Sequence, residues 1–248
     1  MQNRYVGDVG DFAKFALLRA IAQETNYRMA VIWYLFSDED HNSDGRHTSY
    51  LRDEAFARLD PDLHAALFRI VAKDKRSVRA IAASGILPKQ TTFFSNAISD
   101  KSEIRLSRSE RALHRAAWLK KAIKCADGHE LVFVDPDNGV ETASVQRHSP
   151  KSGKYVFWNE LAEFWAKGHS LVVYHHLNRT ATVARQAEVL SVKFRDHFPD
   201  APLVQHFLAR RGSCRHFWIL GQDKHASALS KAIENISQTA LSECLELG

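Results

Sequence analysis

The sequence predicts an α/β fold: a mostly parallel, twisted sheet with helices on both faces, closed by an antiparallel hairpin at its C-terminal end. Three observations lead there. The short apolar runs MAVIWYLF (29–36), ELVFVD (130–135) and SLVVYHH (170–176) read as strands buried on both faces. Helical patterns separate them, and alternation of strand and helix implies a parallel sheet. Near the end, PLVQHFLA and CRHFWILG flank RRGS, a short glycine-containing turn suited to an antiparallel pair.

Each element has its own signal. Asp11 is a candidate cap for a helix over FAKFALLRAIAQE, which is apolar nearly all round and therefore expected to be buried. MAVIWYLF follows as the first strand, then the polar, turn-forming SDEDHNSDGRH. Asp60-Pro61 starts a helix whose apolar face carries Leu63, Leu67, Ile70 and Val71, and a second short helix ends at Gly85. Residues 52–90 thus read as a helical insertion within a single α/β domain spanning 1–248. TTFFSNAI is a strand by its β-branched and aromatic content. Ser107 and Glu110 form a capping box for a long helix with Ala112, Ala116, Leu119 and Ile123 expected inward and Gly128 as its stop. Later helices place Phe157, Leu161, Phe164 and Trp165, then Val183, Ala187, Leu190 and Phe194, and finally Leu229, Ile233 and Ile236 against the sheet.

Composition narrows the function classes. Apolar residues make up 45% and charged residues 25% of 248, as in ordinary globular proteins. MQNRYVGDVG lacks the apolar core of a signal peptide, and MAVIWYLF is far shorter than the roughly 20 residues that span a bilayer. The expectation is a cytoplasmic protein with no membrane partner. Cys125, Cys214 and Cys244 are far apart and show neither zinc spacing nor a disulfide framework. The formal charge of +5 tilts the expected partners toward polyanions, RNA or DNA.

In a parallel sheet the downstream strand ends gather, and ligands bind there. Three polar clusters would meet at that edge. The first holds Ser37, Asp38, Glu39, Asp40, His41, Asn42 and Asp44; the second, Asp135, Asp137, Asn138 and Glu141; the third, His175, His176, Asn178 and Arg179. Ser95 and Asn96 are a fourth contributor. Acidic loop residues also cap helices and form Asx turns, so what favours a site is the coincidence of the clusters, not any one of them. The opening RYVGDVGDFAKF adds Gly7 and Gly10, which permit close backbone approach, and Lys14, a lone cation in an apolar helix. No G-x-G-x-x-G follows a strand, which argues against a nicotinamide cofactor, and there is no P-loop either.

YVGDVGDFAKFALL resembles the segment that opens the bacterial large-subunit ribosomal RNA adenine-N6 methyltransferases, members of the class I S-adenosylmethionine-dependent superfamily. The resemblance implies a Rossmann-like sheet ending in an antiparallel strand. It implies that Tyr5, Gly7, Asp8, Gly10 and Lys14 lie over the cofactor. VDPDN stands where that family has Asp-Pro-Pro-Tyr, so Asp135 would contact the target amino group and Pro136, Asp137 and Asn138 would complete the catalytic turn. Asp137 and Asn138 replace the second proline and the aromatic residue that stacks on an extruded base. SDEDHNSDG replaces the glycine-rich turn after the first strand, leaving Asp38, Asp40, Ser95 and Asn96 as candidate cofactor contacts.

Two other readings stand beside the methyltransferase. Asp38, Asp40, Asp135, Asp137, His175 and His176 are residue types that bind Mg²⁺ or Mn²⁺, and a metal pair would support phosphodiester hydrolysis. A non-catalytic module that binds nucleic acid or protein would keep the fold without the chemistry.

Overall fold

The computed structural model describes residues 1–39, 45–99 and 106–248; Asp40, His41, Asn42 and Asp44 lie outside them. In chain order the elements are α1 (Val9–Thr25), β1 (Met29–Trp33), β2 (Leu35–Phe36), α2 (Glu54–Leu59), α3 (Pro61–Ala72), α4 (Val78–Ala83), β3 (Thr92–Phe94) and β4 (Ala97–Ser99). They continue with α5 (Arg108–Ala126), β5 (Leu131–Asp135), β6 (Gly139–Val140), β7 (Tyr155–Val156), α6 (Trp158–Ala166) and β8 (Ser170–His176). The chain closes with α7 (Val183–His197), β9 (Leu203–Ala209), β10 (Arg215–Gly221), α8 (Asp223–Gln238) and β11 (Glu246–Leu247).

Seven strands form an α/β sheet in the order β11-β9-β10-β8-β5-β1-β3. β3, β1, β5 and β8 run parallel, while β10 is antiparallel to both β8 and β9. The three apolar runs are therefore neighbours, as doubly buried strands should be. Successive residues of β1 divide between two cores because side chains alternate across a strand. Met29, Val31 and Trp33 pack with Phe12, Phe15, Leu67 and Leu229 of α1, α3 and α8. Ala30 and Ile32 pack with Trp118, Leu161 and Phe194 of α5, α6 and α7. Among the described residues no helix is long and apolar enough to cross a membrane.

Several local expectations are corrected. MAVIWYLF divides at Tyr34, which is fully buried and donates its hydroxyl to Glu160 Oε2 at 3.2 Å; β2 then pairs with β4 in a separate small sheet. TTFFSNAI divides likewise, between β3 in the main sheet and β4 outside it. The cap of α1 is Asp8, whose carboxylate accepts from Gly10 N at 3.1 Å, whereas Asp11 lies inside the first turn. On α5 the buried set is Arg115, Trp118, Leu119, Ala122 and Ala126, so only Leu119 of the expected face is buried. The large Trp118 side chain and the ion pair of Arg115 set that rotation, and Ala116 is turned to solvent. The capping box of Ser107 and Glu110 forms as expected.

Candidate functional site

After β1 the chain builds β3 on one side, and after β3 it crosses to β5 on the other. The adjacent ends of β1 and β5, where Trp33 stands opposite Asp135, therefore form a topological switch point. A cavity of about 470 Å³ opens there, within the usual range for small-molecule sites. Asp135, Pro136, Asp137 and Asn138 line one wall, and Tyr5, Asp8, Gly10, Asp11 and Lys14 line another. Tyr174, His176 and Arg179 at the end of β8, with Ser213 and Arg215 at the start of β10, complete it.

At the base, Lys14 Nζ lies 2.8 Å from Asp11 Oδ1 and 2.7 Å from Asp135 Oδ2, with all three side chains buried. Burial alone would depress the Lys14 pKa, but the charges of Asp11 and then Asp135 outweigh it and hold the ammonium above its ordinary value. Burial raises the pKa of Asp135 against the pull of Lys14. The ammonium also sits 5.4 Å from the Trp33 ring and 5.8 Å from that of Tyr174, distances at which an aromatic face attracts a cation. Asp11 Oδ2 accepts from Gly7 N at 2.9 Å, so the glycine turn, α1 and β5 are tied into one chain of polar contacts. Gly7 holds φ at +79°, and a Cβ there would strike Val71, which explains this glycine. Among the described residues no group donates to Asp135 Oδ1, and the Asn138 carboxamide makes no hydrogen bond.

The other carboxylates at this edge are matched to donors and cations. Asp137 Oδ2 accepts from Gln2 Nε2 at 2.7 Å and lies 3.6 Å from Lys154 Nζ. Glu39 Oε2 is 2.5 Å from Lys154 Nζ and 3.1 Å from Gln2 Nε2. Asp8, besides capping α1, accepts from His47 N at 3.0 Å.

Not every expected residue reaches the cavity. Asp38 accepts from Arg4 N at 3.2 Å and is not in the lining. Ser95 and Asn96 join β3 to β4 beyond the edge strand; Asn96 is exposed and its carbonyl accepts from Trp118 Nε1 at 2.9 Å. Alternation along β8 sends Tyr174 and His176 to the cavity and His175 to the opposite side, where its Nδ1 accepts from Val140 N at 3.1 Å. Of the metal-binding set, Asp135, Asp137 and His176 line the cavity while Asp38 and His175 do not. Among the described residues no three His, Cys, Asp or Glu side chains are grouped to hold a metal ion.

Comparison with protein-family models and with curated proteins gives no match.

Residue-level reasoning overlooked Asp11, Tyr174 and Arg215. Asp11 had a signal, an acid three residues before a lone lysine in an apolar helix, which is the spacing of helical neighbours. Arg215 had one too, as a charge opening the otherwise buried strand CRHFWILG.

His175 yields a pH prediction. Gly139 holds φ at +103°, and a Cβ there would come within 2.5 Å of His175 Nδ1, so the turn after Asn138 is built around this ring. Burial, with His176 adding to it, depresses the His175 pKa to about 4 from 6.5. Between those values the unfolded chain binds the proton and the folded chain does not. Stability is therefore full above about pH 6.5 and is lost as pH falls toward 4, by up to a few kcal/mol from this residue. His175→Asn, which keeps an acceptor but does not titrate, should flatten the dependence of Tm on pH in that window. Identical slopes for native and variant protein would contradict this role.

Proposed function

We propose that the chain is a methyltransferase-like enzyme that uses S-adenosylmethionine and acts on nucleic acid. The observation that carries this reading is that the Tyr5–Lys14 segment and the Asp135–Asn138 turn share one cavity at the switch point, with Lys14 bonded to Asp135. The resemblance in the sequence requires that convergence. Two further observations support it. The antiparallel β10 lies between β8 and β9, in keeping with a sheet of the superfamily's kind. The cavity volume also suits a cofactor of this size.

The cofactor supplies a methyl group already activated on a sulfonium, so the protein's task is mainly to position the acceptor. Asp135 divides its work: Oδ2 is held by Lys14, and Oδ1 accepts a hydrogen from the attacking amine and directs the nitrogen lone pair. Asn138 offers its carboxamide to a base edge. Asp137 is a brace for Gln2 and Lys154, which accounts for a carboxylate where the resembled family has proline. With no aromatic residue at 138, base stacking falls to Tyr5 or Tyr174, the tyrosine rings in the lining. A metal-dependent hydrolase is less well supported, because the carboxylates at this edge already face Lys14, Lys154 and Gln2.

Asp135→Asn separates binding from chemistry. Lys14 keeps Asp11 as partner, so the variant should fold. It should bind S-adenosylmethionine nearly as the native protein does while methyl transfer to RNA or single-stranded DNA falls by about 10² or more. Unchanged transfer, or loss of binding and transfer together in a folded variant, would sink the assignment of Asp135 to the acceptor.

A further inference from the structure

We infer that Arg215, with Arg179 at the rim, forms a phosphate-binding subsite on the β8–β10 side of the cavity. Arg215 is 4% exposed. Its Nη2 donates to Ser213 Oγ, but Nε and Nη1 have no acceptor among the described residues. No described carboxylate forms an ion pair with it. Two acidic residues of the lining on α1 and its cap are engaged elsewhere: Asp8 with Gly10 N and His47 N, Asp11 with Gly7 N and Lys14. A buried, unpaired guanidinium is costly, and native proteins rarely keep one without a compensating anion.

The surroundings add to the positive field. A Cβ at Gly10 would collide with Arg215 Nη1, so the guanidinium rests directly on the first turn of α1, the positive end of that helix. Arg179 lines the same cavity and is exposed. The guanidinium lies beside a helix start and keeps N–H groups on Nε and Nη1 without an acceptor, a planar cationic donor of the kind that binds phosphate oxygens. Arg215 pairs with His176 across β8–β10, on the far side of Asp135 from β1 and β3. An anion bound there lies nearer β8 and β10 than β1. Its assignment to a nucleotide phosphate rests on the function proposed above, whereas the anion subsite itself rests on Arg215 alone.

The test uses the full chain, with inorganic phosphate against chloride at matched ionic strength. Phosphate should raise the Tm of native protein, and Arg215→Met should abolish that rise. In chloride, Arg215→Met should melt at or above native, because it removes an unpaired buried charge; a merely structural arginine would show the reverse. Arg215→Lys should keep part of the response. Binding of 5′-AMP, compared with adenosine, should weaken roughly thirtyfold or more in Arg215→Met. Tighter binding of a short single-stranded RNA, with a salt slope lower by about one in the variant, assigns the phosphate to a polynucleotide backbone. Equal, Arg215-dependent binding of the mononucleotide assigns it to a free nucleotide; both outcomes uphold the subsite. A native protein indifferent to phosphate, or an undiminished response in Arg215→Met, overturns it. S-adenosylmethionine is titrated in parallel: failure there with an intact phosphate response removes the methyltransferase reading and leaves the subsite standing.

Discussion

Lys14→Met should lower the unfolding free energy by about 3–5 kcal/mol, the usual cost of leaving a buried charge without its partner. The lysine is the shared cation of Asp11 and Asp135, and each of the three side chains is no more than 4% exposed. Removing it leaves two carboxylates buried in an apolar setting among Phe15, Trp33 and Tyr174. The pKa of Asp135, which burial already raises, should then rise further because the opposing pull of Lys14 is gone. A group whose folded pKa is raised adds stability at low pH and loses it as pH rises, so the deficit should be greatest at neutral pH and shrink toward pH 4. Urea unfolding of native and variant protein at pH 7 and pH 5 measures both effects. A variant as stable as native at pH 7 would show that the triad is solvated rather than buried.

Arg115→Met should cost a similar amount, about 3–5 kcal/mol, for the same physical reason at the other core. Glu160 is fully buried, and Arg115 reaches it with Nε at 2.5 Å and Nη2 at 2.9 Å. The guanidinium also donates to Ser152 O at 3.0 Å and Tyr155 O at 2.7 Å. Those carbonyls flank Lys154, whose own carbonyl accepts from Asn138 N at 2.8 Å. The pair therefore supports the wall of the cavity as well as the packing of α5 on α6. Thermal unfolding should show the loss, and Arg115→Met combined with Glu160→Leu should recover part of it because no unpaired charge remains. A loss below about 1 kcal/mol for the single variant, typical of a surface ion pair, would contradict this account.

The strand runs and their alternation with helices were legible because doubly buried strands are continuous apolar runs, and β1, β5 and β8 are neighbours for that reason. The DPDNG turn was legible because five polar or turn-forming residues follow such a run directly. What stayed hidden depends on tertiary partners. Asp8 and Asp11 are both reasonable caps, and only the depth at which Lys14 is buried sends Asp11 inward. The helix periodicity of α5 favours small apolar residues inward, but Arg115 enters the core because Glu160 is there to receive it. His175 and His176 are adjacent in sequence, and which of them faces the cavity is decided by the register of β8 on β5. Asp38 carries the same charge as Asp135, yet the loop after β2 turns it onto Arg4.

The most direct test of the central claim is calorimetric titration of the native protein with S-adenosylmethionine in the absence of added metal. The account predicts saturable binding under those conditions, spared by Asp135→Asn. Absence of cofactor binding, together with a thermal shift on adding Mn²⁺ that disappears in Asp135→Asn, would contradict it and make the carboxyl edge a metal site, since a ligand of the folded state alone raises stability by mass action.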